Sequence, residues 1–132
     1  MENWQKILII EDDSLLGEIL TKQIRENEMK ASLAKDAETA LKIIDQEIPA
    51  LILMDLILPR MSGEEFLKAL KDKGIVPKLP VIVLSNFSDE KKIQECMELG
   101  AREFLVKSNF DLSEIVKKVK DILLETKQPA QK

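Results

Sequence analysis

The segment Ile7-Leu-Ile-Ile-Glu-Asp-Asp13 sets three consecutive acidic residues directly after four aliphatic ones. A similar order recurs twice further along the chain, because Leu51-Ile-Leu-Met54 precedes Asp55 and Val81-Ile-Val-Leu84 precedes Ser85. An uninterrupted apolar run of this kind is typical of a strand that is buried on both faces, as the strands of parallel sheets are. The three runs therefore predict three central parallel strands, each ending at a polar residue.

Segments with helical periodicity lie between and after these runs. Their apolar residues recur at the spacing of one buried helix face. The residues are Leu15, Leu16, Ile19, Leu20 and Ile24 in the first segment, Ala37, Ala40, Leu41, Ile44 and Ile48 in the second, and Leu112, Ile115, Val116, Val119, Ile122 and Leu123 in the last.

Helix start signals agree with this periodicity. Asp13 is predicted to be the N-cap of the first helix, and a further helix is predicted to begin at Ser88 and to end near Gly100. Two pairs of residues have the spacing of a capping box, in which the cap side chain accepts a hydrogen bond from the amide three positions on. The pairs are Ser62 with Glu65, and Asp111 with Glu114.

Two weaker strands, residues 31–34 and 102–106, complete a set of five strands alternating with five helices. Strict alternation predicts an α/β fold with a doubly wound, five-stranded parallel sheet, right-handed crossovers and helices on both faces. The flavodoxin-like strand order 2-1-3-4-5 fits this pattern. We expect a single domain over residues 1–126, followed by a polar C-terminal tail or linker stub over residues 127–132.

Composition narrows the possible functions. The chain has 132 residues, with 20 Lys+Arg against 24 Asp+Glu, a formal net charge of −4, no histidine and a single cysteine, Cys96. These counts exclude a Ser-His-Asp triad, a His-ligated metal site and an internal disulfide within the chain. The acidic excess argues against direct nucleic-acid binding by this domain. Since no signal peptide or long apolar run is present, we expect a cytoplasmic protein without membrane contact.

The polar residues at the strand ends are expected to form one site. In an open α/β sheet, ligands bind beyond the carboxyl ends of the strands, where the strand order reverses. Strands 1 and 3 are predicted neighbours, so Glu11, Asp12 and Asp55 should converge. Carboxylates about 4 Å apart repel by about 4 kcal/mol per pair at an effective dielectric constant near 20. Either one of them keeps a proton, or a hard divalent cation such as Mg²⁺ lies among them.

Two further strand ends add a hydroxyl group and a positive charge to this edge. Ser85 follows the fourth predicted strand and Lys107 follows the fifth. An aspartate beside Mg²⁺, a lysine and a hydroxyl is a natural acceptor for a phosphoryl group. The carboxylate is the nucleophile in such a site, while the metal and the ammonium neutralise charge on the phosphoryl oxygens.

With these residues in place, the chain resembles the receiver domains of two-component response regulators over about residues 5 to 125. Four segments carry the resemblance, and together they are far more specific than any one alone. The segments are Lys6-Ile-Leu-Ile-Ile-Glu-Asp-Asp13, Leu53-Met-Asp-Leu-Ile-Leu-Pro-Arg-Met-Ser-Gly63, Val81-Ile-Val-Leu-Ser85 and Gly100-Ala-Arg-Glu-Phe-Leu-Val-Lys107.

The resemblance implies a role for each site residue. Asp55 would accept a phosphoryl group from a sensor histidine kinase, a phosphotransfer protein or a small phosphodonor such as acetyl phosphate. Mg²⁺, or Mn²⁺, would be bound by Asp55, by Asp12, by Glu11 through water and by the backbone carbonyl of Ile57. The chain would catalyse only its own phosphorylation and dephosphorylation, and would otherwise not be an enzyme.

The resemblance also implies a conformational switch. Ser85 would hydrogen-bond the phosphoryl oxygens, Lys107 would pair with them, and Phe104 matches the aromatic switch position of the family. Phosphorylation adds charge and three acceptor oxygens, which the loop after strand 4 can follow. The surface of helix 4, strand 5 and helix 5 would then change and control an output protein or dimerisation.

The chain departs from the family pattern at four positions. The residue after Lys107 is often a proline joined by a cis bond, but here it is Ser108, where a cis bond costs about 3 kcal/mol. Asn86 stands where a small residue is usual, and is expected to narrow the approach of the phosphodonor. Ile57 and Phe87 set bulky apolar groups beside the entry of attacking water, which predicts slow autodephosphorylation.

Three alternative functions compete with this one. A receiver-like interaction module regulated without phosphorylation keeps the fold but does not need the full set of site residues. A haloacid-dehalogenase-type phosphatase requires a second Asp two residues after the nucleophile, where this chain has Ile57. A flavodoxin requires a Ser/Thr-rich phosphate loop with flanking aromatic residues, which this sequence lacks.

Overall fold

The computed structural model describes residues 4–86 and 89–127. Within these ranges, five strands alternate with five α-helices, and a single 3-10 turn (Lys107–Asn109) follows the last strand. The strands are β1 (Lys6–Ile10), β2 (Lys30–Ala34), β3 (Leu51–Asp55), β4 (Val81–Ser85) and β5 (Glu103–Val106). The helices are α1 (Ser14–Glu26), α2 (Ala37–Gln46), α3 (Gly63–Asp72), α4 (Glu90–Glu98) and α5 (Leu112–Lys127).

The strands form one parallel sheet in the order β2-β1-β3-β4-β5. This order confirms the doubly wound α/β fold predicted from the strict alternation. The three apolar runs are the three central strands, and every residue of β3 and β4 is buried. In the register of the sheet Ile10 pairs with Met54, and Asp55 pairs with Leu84, so β1, β3 and β4 end side by side.

Two apolar cores lie on opposite faces of the sheet. Successive residues of a strand point to opposite faces, so Leu8 and Ile10 enter one core while Ile7 and Ile9 enter the other. The first core packs under α2, α3 and α4, and the second packs under α1 and α5. Both faces of the central strands are thereby covered by helices, which is why their sequences are apolar without alternation.

Three of the predicted helix starts agree with the structure. Asp13 caps α1 by accepting hydrogen bonds from the amides of Leu15 and Leu16. At α3, the Ser62 hydroxyl accepts from the Glu65 amide at 3.1 Å, and the Ser62 amide donates to the Glu65 carboxylate at 2.9 Å. The same reciprocal pair joins Asp111 and Glu114 at the start of α5, with both distances 2.9 Å.

Several boundaries differ from those expected. The edge strands β2 and β5 begin at Lys30 and Glu103, one residue before and one residue after the predicted starts. Their burial is discontinuous because each has a neighbouring strand on one side only. Helix α2 ends at Gln46, so Ile48 lies outside it and is 56% exposed; Pro49 disfavours helical backbone at the residue before it.

The start of α4 and the chain end also differ from the prediction. The helix begins at Glu90 and is capped by Asp89, whose side chain accepts from the Lys91 amide. Ser88, where it was predicted to begin, lies outside the described residues. The last helix reaches Lys127, the first residue of the predicted tail, and residues 128–132 lie outside the described ranges.

The backbone around Lys107 is regular. Within residues 4–86 and 89–127 the one cis peptide bond is Val76–Pro77, so the bond between Lys107 and Ser108 is trans.

In the same part of the chain, none of the helices combines the length and the apolar character needed to cross a membrane.

Candidate functional site

Three carboxylates meet at the carboxyl end of the sheet. Glu11 and Asp12 follow β1, and Asp55 is the last residue of β3, the strand paired with β1. One carboxylate oxygen from each residue lies within 4.8 Å of the other two. Glu11 and Asp55 are buried while Asp12 is exposed, so the cluster has a closed side and a side that faces water. The convergence expected from the strand ends is therefore present.

Hydrogen bonds that involve backbone amides hold Glu11 and Asp55 in place. The Glu11 amide donates to the Ala34 carbonyl at 3.0 Å, which extends the β1–β2 pairing by one residue. One Glu11 carboxylate oxygen accepts from the Asp13 amide at 3.2 Å. One Asp55 oxygen accepts from the Ile57 amide, also at 3.2 Å. Each buried carboxylate is thus oriented by a neighbouring amide and keeps a second oxygen for another partner.

Lys107 provides the countercharge within the cluster. Its ammonium nitrogen lies 3.3 Å from Oε1 of Glu11 and 3.3 Å from Oδ2 of Asp55. The lysine side chain is 18% exposed, so these ion pairs are shielded from bulk water more than those on the surface. One ammonium offsets only part of the charge of three carboxylates, and the site retains an excess of negative charge.

Burial and the excess of negative charge both raise the proton affinity of Glu11. The pKa of Glu11 is raised from 4.5 to about 7, first because the carboxyl is buried and second because the negative charge of Asp55 lies beside it. The amide of Asp13 and the ammonium of Lys107 act against the increase. Near neutral pH the cluster therefore accommodates either a proton or an additional cation.

The donor atoms fit a hard divalent cation. Carboxylate and carbonyl oxygens are the ligands that Mg²⁺ takes in proteins, with several water molecules retained. The cluster offers three carboxylates, of which the exposed Asp12 borders water. The three ligand atoms of the cluster are all carboxylate oxygens, which suits Mg²⁺ or Mn²⁺.

The structure describes four of the remaining predicted site residues. Ser85 is fully buried at the end of β4, next to the end of β3. Phe104 lies on β5, is half-buried and packs against the core beneath α2, α3 and α4. Ile57 is 56% exposed beside Asp55, and Asn86 is exposed. Phe87 lies outside the described residues.

One residue near the site was not singled out from the sequence. Arg60 lies in the loop between β3 and α3 with φ of 63°, in the left-handed region that non-glycine residues rarely adopt. Its guanidinium contacts Asp36 at 2.7 Å and Glu38 at 3.8 Å, both at the start of α2. An arginine in a loop gives no sequence signal for this backbone conformation, because glycine and asparagine are the residues that indicate it.

The amino-acid sequence is similar to a known protein family and to individual proteins. A family model described as the response regulator receiver domain matches residues 7–120. The phosphate regulon transcriptional regulatory protein PhoB of Escherichia coli (strain K12) is 29% identical over 119 residues, which are 90% of this chain and 52% of PhoB. The transcriptional regulatory protein YdfI of Bacillus subtilis (strain 168) is 34% identical over 104 residues, which cover 77% of this chain and 47% of YdfI.

The solved structures include a similar domain as well. The receiver domain of the Francisella response regulator 1452 has a TM-score of 0.85 and 26% sequence identity, and covers 92% of this chain and 98% of that one. This chain spans about half the length of PhoB and of YdfI.

Proposed function

The chain belongs to the family of response regulator receiver domains, and from that membership we propose that it is a phosphorylation-activated switch of a two-component phosphorelay. In this proposal the receiver domain spans residues 1–126, and residues 127–132 are a tail or the start of a linker. The observation that carries the proposal is the meeting of Glu11, Asp12, Asp55 and Lys107 at one edge of the sheet.

Asp55 is the proposed phosphoacceptor. A carboxylate oxygen of Asp55 forms a bond to phosphorus as the bond from phosphorus to the donor breaks. With a phosphohistidine donor, the imidazole nitrogen leaves with the electron pair of that bond and takes up a proton from solvent. The buried position of Asp55 and the hydrogen bond from the Ile57 amide support this role, since they fix the carboxylate in one orientation.

A divalent cation is the proposed cofactor. Asp12 and Asp55 would bind Mg²⁺ or Mn²⁺ directly, Glu11 through water, and Ile57 through its backbone carbonyl. When bound, the cation neutralises charge on the phosphoryl oxygens during transfer. The convergent carboxylates support this assignment, because they leave the site short of positive charge. The pKa of Glu11, raised first by burial and then by the charge of Asp55, is consistent with it.

Lys107 and Ser85 are the proposed partners of the phosphoryl group. Lys107 already contacts Asp55, so its ammonium can follow the negative charge from the carboxylate to the phosphoryl oxygens. Ser85 is buried at the adjacent strand end, from which its hydroxyl can donate to a phosphoryl oxygen after a small movement of the loop behind it. Asn86 and Phe87 follow directly and would adjust access to the site.

The switch is proposed to reach a second surface through β4 and β5. Phe104 pairs with Val83 and is half-buried, so a movement of Ser85 and the following loop would alter the space available to its ring. The surface of α4, β5 and α5 would then control an output protein or dimerisation. The phosphoryl group would come from a sensor histidine kinase, a phosphotransfer protein or a small phosphodonor.

The domain is further proposed to act in the cytoplasm, without contacting nucleic acid or membrane itself. Its catalysis would be limited to its own phosphorylation and dephosphorylation. Receiver domains are signalling domains, and the part of a longer regulator that produces the output would be separate from this fold.

The test is the formation of a labile adduct that depends on Asp55. The protein is incubated with Mg²⁺ and acetyl phosphate, and its intact mass or its mobility on a phosphate-affinity gel is compared with that of Asp55→Ala. An adduct in the wild type alone supports the proposal. The absence of any Asp55-dependent adduct with every donor would overturn it in favour of a module regulated without phosphorylation.

A further inference from the structure

The loop that follows the acceptor strand is fixed at its base. This loop, residues 56–62, leaves β3 after Asp55 and leads into α3. The Gly63 amide donates to the Leu56 carbonyl at 3.0 Å, which closes the base. A side chain at Gly63 would lie 2.8 Å from the same carbonyl oxygen, so the two backbone segments are in close contact.

The tip of the loop is held by an ion-pair cluster. Arg60 adopts φ of 63°, and its guanidinium lies 2.7 Å from Oδ2 of Asp36 and 3.8 Å from Oε2 of Glu38. Asp36 is itself fixed, because it is the N-cap of α2 and its other oxygen accepts from the Thr39 amide at 2.7 Å. The tip is therefore tied to the first turn of α2.

Glu38 adds a second reason for the arginine at this position. One of its carboxylate oxygens is buried and has no hydrogen-bond partner among the residues that the structure describes, while the other faces Arg60. A carboxylate that is partly removed from water needs a nearby positive charge. The planar guanidinium can serve two carboxylates at once, which a lysine ammonium does less well.

Ile57 lies between the fixed base and the fixed tip. Its backbone amide already donates to Asp55, and its side chain is 56% exposed, so packing of that side chain contributes little to its position. Leu58 is 9% exposed and anchors the middle of the loop in the core. The remaining freedom of the backbone at Ile57 is limited by the tie at Arg60.

We propose that Arg60 is a positioning residue for the metal centre, because its ion pairs with Asp36 and Glu38 hold the backbone at Ile57 in the conformation that binds Mg²⁺. This inference rests on the proposed function, in which the Ile57 carbonyl is a metal ligand. The guanidinium of Arg60 is paired with Asp36 and Glu38, and Arg60 is not one of the proposed metal ligands. It acts through the loop, at a backbone conformation that glycine would adopt with less strain.

The test is Mg²⁺ affinity measured by calorimetry on the 132-residue chain, together with the melting temperature without metal. Glycine at position 60 relieves the positive φ but removes the tie. Arg60→Gly is therefore expected to bind Mg²⁺ about 10-fold more weakly. Its melting temperature without metal should change little, because relief of the positive φ offsets part of the stability lost with the ion pairs. Arg60→Lys keeps one ion pair and is expected to lie between the two in Mg²⁺ affinity.

A second variant and a control separate this effect from general stability. Asp36→Asn keeps a good helix cap but weakens the ion pair, and combining it with Arg60→Gly should reduce affinity no further than Arg60→Gly alone. Glu28, with φ of 64°, is the matched control. It lies between α1 and the start of β2, at the amino ends of the strands, whereas the site lies at their carboxyl ends. Glu28→Gly should raise the melting temperature and leave Mg²⁺ affinity unchanged.

The outcomes distinguish the inference from the function on which it rests. If the wild type binds Mg²⁺ and Arg60→Gly binds it equally well, the positioning role is wrong while the metal site stands. The role is also wrong if Glu28→Gly weakens binding as much as Arg60→Gly does. If the wild type binds no Mg²⁺, the metal part of the proposed function fails and the inference fails with it.

Discussion

The ammonium nitrogen of Lys107 lies 3.3 Å from Oδ2 of Asp55, although 52 positions separate the two residues in the chain. Asp55 ends β3 and Lys107 follows β5. These two strands are not neighbours, because β4 lies between them in the sheet. The lysine side chain therefore spans the end of β4, where Ser85 is located. Its charge stabilises the acidic cluster when no metal is present.

Replacing Lys107 should destabilise the metal-free protein. Lys107→Met leaves Glu11 and Asp55 without their ammonium partner in a shielded position, and we expect a loss of about 2 kcal/mol in the free energy of unfolding at pH 7.5. Mg²⁺ should recover most of this loss, because a divalent cation supplies the missing charge. Urea unfolding with chelator and with Mg²⁺ measures both effects.

The matched control for this variant is Lys117→Met. Lys117 pairs with Asp121 on the surface of α5, where its side chain is 74% exposed. Such a pair contributes about 0.5 kcal/mol or less. Equal losses for Lys107→Met and Lys117→Met would contradict the stabilising role given to the buried ammonium.

Metal-free stability should depend on the protonation of Glu11. Its pKa is 4.5 as an ordinary glutamate and about 7 in the fold, so the folded state binds the proton more tightly than the unfolded chain does. The contribution of this group is complete below pH 4.5 and is lost as the pH rises to about 7. The loss amounts to at most about 3 kcal/mol, measured as urea unfolding in chelator across this range.

Glu11→Gln isolates the contribution of this one group. Other carboxylates stabilise the fold with the opposite pH dependence, so the quantity to follow is the difference in unfolding free energy between Glu11→Gln and the wild type. This difference should grow in favour of the variant as the pH rises from 4.5 to about 7. A difference that does not vary with pH would show that Glu11 titrates normally.

Gly63 should tolerate no side chain. A Cβ atom at this position would lie 2.8 Å from the Leu56 carbonyl oxygen and 3.0 Å from its Cα, both of them backbone atoms that cannot turn aside. We expect Gly63→Ala to lower the free energy of unfolding by about 2 kcal/mol. Gly17→Ala is the control, because its Cβ would meet only the methyl groups of Leu33 at 3.0 Å, which can rotate, and alanine favours the helix.

The phosphorylated state should be long-lived. Ile57 is apolar and 56% exposed beside Asp55, where it would hinder the approach of water to an acyl phosphate. Phe87, outside the described residues, is predicted to act in the same way. Combining Ile57→Asn with Phe87→Ala should shorten the half-life of the phosphorylated protein several-fold, as followed by loss of the labile adduct over time. An unchanged half-life would refute this explanation.

Much of the fold could be predicted from local sequence patterns. The runs at Ile7, Leu51 and Val81 predicted the central strands because those strands are buried on both faces, and the capping boxes at Ser62 and Asp111 are local hydrogen-bond patterns. The starts of the edge strands β2 and β5 were predicted less accurately, because half-buried strands have no continuous apolar run. The start of α4 is predicted at Ser88, whereas the structure shows Asp89, one residue later, as the cap of this helix.

The site itself was predicted through topology, and its finer geometry was not. Because β1 and β3 are neighbouring parallel strands, Glu11 after β1 and Asp55 at the end of β3 lie close together at the carboxyl ends of the strands. The tie from Arg60 to Asp36 could not be predicted, because it joins two loops 24 positions apart and depends on a left-handed backbone at an arginine. The trans bond after Lys107 follows from the serine at position 108, which lacks the reason a proline has for the cis form.

Locating the phosphoryl group is the most direct test of the central claim, that Asp55 accepts it. The protein is incubated with acetyl phosphate and Mg²⁺ and then treated with borohydride, whose hydride reduces an aspartyl phosphate to homoserine with release of phosphate. Peptide sequencing by mass spectrometry then shows which position was modified. We predict homoserine at position 55 in the wild type and in Asp13→Asn. Modification at Asp12 or Asp13, or at no aspartate while Mg²⁺ is bound, would contradict the assignment of Asp55 as the phosphoacceptor.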